Sequence, residues 1–179
     1  MSATVYDIDP AHSSAHITVR HMMITNVRGE FTKVSGTVTF DPDNPGASQV
    51  EATIDVASLH TREEQRDAHL KSADFFDVAK FPEIKFVSKS VERLGDGEHS
   101  VKGDLTIHGV TKEVTFRVDG PTPEIKDPWG NTKAGATATA KINRKDFGLV
   151  WNVALETGGV LVGEQVSISL EVELARRAA

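Results

Sequence analysis

Alternation of apolar and polar residues constrains this chain more than any other feature. In Glu164–Ala175, Val166, Ile168, Leu170, Val172 and Leu174 alternate with Ser167, Ser169, Glu171 and Glu173. Successive side chains of a strand point to opposite faces, so this segment is a strand with one apolar face. Seven further runs read the same way: Ser14–His21, Glu30–Phe40, Val50–Ala57, Ile84–Leu94, His99–His108, Lys112–Gly120 and Lys133–Asn143. One apolar face per strand suits an antiparallel sheet, since parallel sheets are buried on both faces. Eight such strands favour a closed up-and-down barrel or a sandwich, and closure removes the exposed edges. Strands near ten residues exceed the usual five or six and predict a tall barrel.

Turn chemistry separates the runs: Asp41–Gly46, Gly95–Gly97, His108–Thr111 and Asp127–Asn131 are rich in Gly, Pro, Asp and Asn. One segment, Thr61–Leu70, has helix formers and no alternation. Thr61 with Glu64 three residues later predicts a capping box, and Glu63 and Glu64 suit the positive end of the helix dipole. Met22–Thr25 is expected to add a short helical turn. The expected fold is therefore all-β, an antiparallel eight-stranded barrel with one short helix. Its 179 residues form a single domain, 1–179, without linker or repeat.

The Lys133–Ile142 run places Ala134, Ala136, Ala138, Ala140 and Ile142 on one face. If that face points inward, the wall fills little volume, although protein interiors are normally close-packed. Two outcomes stay open. Either Phe31, Phe40, Phe75, Phe76, Phe81, Phe86, Phe116 and Phe147 fill the space opposite, or the barrel keeps an apolar tunnel.

Several chemistries are excluded or disfavoured. The chain has no cysteine, so disulfides, thiolate nucleophiles and thiolate-bound zinc drop out. A net charge of −6 speaks against nucleic acid or an anionic membrane surface as a partner. No apolar run approaches the roughly 20 residues of a spanning helix, so no stable membrane insertion is expected. The start, MSATVYDIDP, lacks a basic and apolar leader, which points to the cytoplasm. His12, His16 and His21 lie near the first strand, and His60 and His69 flank the helix, but no metal-ligand spacing is present, so no metal is expected. Ser13 and Ser14 adjoin His12, yet neighbours in a strand face opposite ways, and no GxSxG elbow occurs. The Glu156–Val160 turn lacks the lysine of a phosphate loop. Arg62, Arg66 and His69, spaced i, i+4 and i+7, predict a cationic helix face, for which a solvated surface is the plain explanation.

Five ordered motifs carry a resemblance: DPAHS at Asp9–Ser13, TREEQRDAHLKSADFF at Thr61–Phe76, FPEIKF at Phe81–Phe86, GDLTIHGVTK at Gly103–Lys112 and NRKDFG at Asn143–Gly148. In this order they resemble the YceI-like, polyisoprenoid-binding family, from about Tyr6 to Leu174. The resemblance implies an extended, lipocalin-like barrel whose apolar tunnel holds a long isoprenoid lipid. A polyprenyl phosphate or the tail of an isoprenoid quinone is implied, carried or stored without catalysis. On this reading the tunnel residues are Ile17, Val19, Phe31, Phe40, Ile54, Phe75, Phe76, Phe86, Phe116, Ala134, Ala136, Ala138 and Phe147. Arg66 and His69 are the expected head-group contacts, with His12 or His108 as other candidate ends. Family members often form homodimers, so a homodimer is expected. Many are periplasmic with a signal peptide, and this chain departs from them there. The rival readings are a fatty acid or fatty amide in the same tunnel, a hydrolase or isomerase on the barrel, and a scaffold with a self-filled interior.

Overall fold

A computed structural model of the chain describes residues 3–156 and 158–178. The elements in order are β1 (Thr4–Ile8), β2 (Ser14–His21), β3 (Thr25–Phe31), β4 (Val34–Phe40), β5 (Gln49–Asp55), β6 (Leu59–His60), α1 (Glu64–Lys71), β7 (Glu83–Gly95), β8 (Glu98–Ile107), β9 (Val110–Asp119), β10 (Ile125–Lys126), β11 (Thr132–Asn143) and β12 (Val162–Arg176). All pairings are antiparallel. Eight strands close a ring in the order β1-β4-β5-β7-β8-β9-β11-β12, and β12 returns to β1. The expected barrel is therefore present, with one short α-helix.

The membership of the ring differs from the alternation pattern. β1 has only five residues, too few to show a period, yet it closes the ring through Tyr6↔Arg176 and Ile8↔Leu174. β2 runs on along the same edge of β12, from Ser14↔Glu171 to His21↔Val162. A 3-10 turn at Pro10–His12 separates the two, held by Asp9, whose Oδ1 accepts from Ala11 N at 3.0 Å. From β2 the sheet continues outward through β3 to β6, beyond the ring. The Glu30–Phe40 run is two strands, broken at Thr32–Lys33. Met22–Thr25 holds no helical turn: it is the tip of the β2–β3 hairpin, with Met22 and Met23 at φ 51° and 61°.

The helix starts two residues later than the capping box predicts. Glu63 is the N-cap, its carboxylate accepting from Gln65 N at 3.2 Å and Arg66 N at 2.7 Å. Thr61 turns inward instead and donates to Asp67 Oδ1 through both its amide, at 2.7 Å, and its hydroxyl, at 2.6 Å. Arg62 sits at φ 70° ahead of the helix, so it shares no helical face with Arg66 and His69.

Candidate ligand-binding site

The inward faces of the strands enclose a cavity of about 610 Å³ with an almost wholly apolar wall. Its length follows from β12, where Val162, Val166, Ile168, Leu170, Val172 and Leu174 all line it. That run of strand spans about 40 Å at ~3.3 Å per residue, or about 30 Å along the barrel once strand tilt is allowed for. Aromatic rings pack in edge-to-face pairs, Phe31 with Phe76 at 5.9 Å and Phe86 with Phe116 at 5.0 Å. They form wall and leave the lumen open, which resolves the two outcomes left by the alanine strand.

Of the residues singled out from the sequence, Ile17, Val19, Phe31, Phe40, Ile54, Phe75, Phe76, Phe86, Phe116, Ala136 and Ala138 lie in the wall. Ala134 and Phe147 do not. Ala134 is buried opposite the lining residue Leu174 near the start of β11 but does not itself line the cavity. Phe147 leaves the strand in the 3-10 turn Arg144–Phe147, which carries its ring off the inward face and into the core.

One end of the cavity is capped by α1 and by the segment after β11. Thr61, Gln65, Arg66, His69 and Leu70 line this end together with Trp151 and Leu161. The His69 ring stands edge-on to Trp151 at 4.6 Å and to Phe75 at 5.1 Å, and its Nε2 meets Asp74 Oδ2 at 2.9 Å. Arg66 donates from Nε to Thr61 Oγ1 at 2.7 Å and from Nη2 to the Thr61 carbonyl at 2.6 Å. Its Nη1 has no hydrogen-bond partner among the described residues. Arg66 and His69 are thus brought together at this end of the cavity.

His12 lies elsewhere. It sits on the outer surface with Nδ1 at 2.9 Å from Asp9 Oδ2 and 3.2 Å from Glu173 Oε2. Lys133 Nζ joins the same two carboxylates at 2.9 and 3.3 Å. Hydrogen bonds from Lys133 and His12 hold the Asp9 carboxyl far below the usual carboxylate range, and the Asp9 bond raises His12 in turn. One ligand-type atom each from Asp9, His12 and Glu173 come within 4.8 Å of one another, and the Lys133 ammonium bonds both carboxylates. The cluster is an ion-pair network. His108 is also outside the cavity wall, packed on Phe81 at 4.7 Å.

Two functional residues escaped the sequence reading. His99 is buried at the opposite end from α1 and lines the cavity there with Phe40, Ser48, Gly120 and Pro121. Its Nδ1–H donates to the Gly120 carbonyl at 2.9 Å and its ring stands edge-on to Phe40. Alternation was the available signal, since His99 shares a face with Val101, Leu105 and Ile107. Arg144, only 3% exposed, donates to four carbonyls: Gly163 at 2.7 Å, Leu149 at 2.6 Å, Trp151 at 3.0 Å and Val162 at 3.2 Å. Burial lowers its pKa below the ordinary arginine value. It ties the segment bearing Trp151 to the barrel end. No motif rule predicts such a role for an arginine.

Comparison with known proteins matches this architecture. The family model described as a YceI-like domain covers residues 6–174. A UPF0312 protein of Staphylococcus aureus is 38% identical over 172 residues, covering 96% of this chain and 98% of the relative. A UPF0312 protein of Pseudomonas putida is 42% identical over 149 residues, covering 82% and 77%. Among solved structures, Burkholderia cenocepacia BcnA superimposes with a TM-score of 0.76 at 25% identity, covering 93% of this chain and 98% of that one. The Campylobacter jejuni YCEI protein gives 0.72 at 29%, covering 89% and 90%. A polyisoprenoid-binding domain from Saccharophagus degradans shares the fold, with a TM-score of 0.66 at 12% identity, covering 97% and 99%. A family model spanning nearly the whole chain, close relatives of matching length and the same barrel lead to one conclusion: the chain belongs to the YceI-like family.

Proposed function

We propose that the barrel binds one long isoprenoid lipid, a polyprenyl phosphate or an isoprenoid quinone, and carries or stores it without transforming it. The observation that carries this reading is the long apolar cavity, which runs from Trp151 and His69 to His99. Its volume falls in the range of ligand pockets, roughly 300–1,000 Å³. An isoprene unit has five carbons, so burying one is worth about 4 kcal/mol at ~0.8 kcal/mol per CH₂. Four units give about 16 kcal/mol before the cost of association. With that cost at about 8 kcal/mol, affinity is near micromolar.

Arg66 and His69 receive the head group in this reading. The free Nη1 of Arg66 suits a phosphate oxygen, and charge-assisted bonds of this kind are the strong ones. The cavity's buried hydroxyls are engaged in structure: Ser48 Oγ accepts from Asp41 N at 3.1 Å, and Thr61 bridges Arg66 and Asp67. That commitment supports binding over catalysis.

Mass spectrometry of organic extracts from natively purified protein tests the proposal, together with quenching of Trp151 by added ubiquinone. A co-purified prenyl lipid, or saturable quenching, is the expected result. Repeated absence of prenyl lipid together with no quenching overturns it. Displacement of bound quinone by a fatty acid at equal potency would replace the isoprenoid with a general acyl ligand.

A further inference from the structure

The cavity end bounded by Trp151 and Leu161 carries an exposed apolar surface that folding leaves unused. Nine large hydrophobic residues are exposed among the described residues, and five belong to two adjoining loops: Met22, Met23, Ile24, Val150 and Val153. Ile24 is 70% exposed and Val150 59%, values that core packing does not explain. The backbone joins the loops, with Met22 N donating to the Leu161 carbonyl at 2.7 Å and Leu161 N to the Val153 carbonyl at 2.9 Å. The Met23 sulfur lies over Gly159, at a point where any side chain on Gly159 would collide with it.

The charge on the hairpin is selective. The hairpin Ile17–Gly29 holds Arg20 and Arg28 and no acidic residue, in a chain of net charge −6. Both arginines are exposed, and Arg20 reaches across the hairpin to Asn26 Oδ1 at 3.4 Å. The second loop is uncharged from Phe147 to Leu155. It is bounded by the exposed acids Asp146 and Glu156, and Lys145 holds Glu164 at 2.7 Å. An apolar hairpin tip whose full charges, Arg20 and Arg28, are both cationic fits the boundary between the acyl region and an anionic headgroup layer. A protein partner's apolar patch gives no reason for this sign of charge.

The geometry points to docking of this barrel end on an anionic lipid bilayer, with Met22–Ile24 and Val150–Val153 entering the interface and Arg20 and Arg28 on the headgroups. This rests on the lipid-carrier reading, since docking would set the Trp151 end of the cavity against the source of its ligand. Insertion is shallow, and no helix among the described residues is long and apolar enough to cross a membrane.

Co-sedimentation with phosphatidylcholine vesicles and with mixed phosphatidylcholine–phosphatidylglycerol vesicles tests the docking, and ubiquinone quenching in detergent solution is measured separately. The full chain is expected on the mixed vesicles, less so as salt rises. Met23→Ser with Ile24→Ser is expected to weaken partition about tenfold or more. Arg20→Gln with Arg28→Gln is expected to weaken it about 25-fold, at about fivefold per cation, and to flatten the salt dependence. Trp129→Ala, at the far end of β11, leaves partition unchanged. Unchanged thermal melts show that the exposed substitutions leave the fold intact. Failure of the full chain to pellet with mixed vesicles overturns the docking, as does partition that both double variants retain. A dimer in light scattering that Met23→Ser with Ile24→Ser abolishes, without change in vesicle partition, assigns the surface to a second copy instead. Quinone quenching that persists while vesicle binding is absent removes the docking alone, whereas loss of quenching with vesicle binding intact removes the carrier reading.

Discussion

Replacing Ala138 with Phe tests the cavity most directly. Ala138 lies mid-strand in β11, paired with Val118 on one side and Leu170 on the other, and its methyl lines the lumen. A phenyl ring at this position projects six carbons into the space a ligand chain needs. It displaces about one five-carbon isoprene unit, worth about 4 kcal/mol at ~0.8 kcal/mol per carbon. At about 1.4 kcal/mol per tenfold, affinity should fall by roughly a thousandfold, and by at least a hundredfold after the chain and wall adapt. The ring fills existing space, so the melting temperature should change little. The assay is quenching of Trp151 by ubiquinone in a Trp129→Phe background, because Trp129 is 83% exposed and adds only constant signal. Thr139→Phe, one residue along and on the outer face, is the control and should bind normally. Superimposable titrations for Ala138→Phe and the parent would refute a ligand path along this wall.

Arg144→Met should cost about 3–5 kcal/mol, since the carbonyls of Leu149, Trp151 and Gly163 lose their donor while Val162 keeps Asn152 Nδ2 at 2.7 Å. Chemical denaturation reads this, and a loss below 1 kcal/mol contradicts the structural role. His99→Leu should cost about 1–3 kcal/mol by leaving the Gly120 carbonyl buried without its donor, again read by denaturation. Gly103→Ala should destabilise by about 1–3 kcal/mol, because the new methyl would overlap the Val87 carbonyl and Ser88 Cα, backbone atoms that cannot rotate away. The Asp9 network predicts an acid-side effect. Asp9 has a lowered folded pKa, so its contribution is present above the usual carboxylate range and is lost as pH falls toward the folded value. Melting temperatures of Asp9→Asn should therefore fall short of the parent's at neutral pH, with a gap that starts to narrow only below about pH 4 and shrinks further as pH falls.

What the sequence disclosed and what it hid divide along physical lines. Alternation is a local signal, and it located β2, β7, β8, β9, β11 and β12 to within a few residues, because each buries one face over seven residues or more. It failed where burial and period are decoupled. β1 is too short to alternate visibly, although Tyr6 and Ile8 close the ring. Thr32–Lys33 reads as a continuing strand because Thr is a good strand former, and the break between β3 and β4 follows from pairing with different partners. The wall residues on strands were legible for the same reason that the strands were. The cavity end was not, because it is built by the long segment between β11 and β12, which has no period and is organised by the buried guanidinium of Arg144. A buried arginine satisfied by carbonyls leaves no local trace, since its partners lie five to nineteen residues away. The exposed residues of that same segment matter for the same reason. Met23, Ile24, Val150 and Val153 look like scattered hydrophobics in the sequence, and the hydrogen bonds through Leu161 make them one surface beside the lumen. An apolar surface left uncovered costs solubility in a free barrel. Its place beside the lumen, with Arg20 and Arg28 its flanking charges on the hairpin, fits a barrel that exchanges its ligand with a membrane.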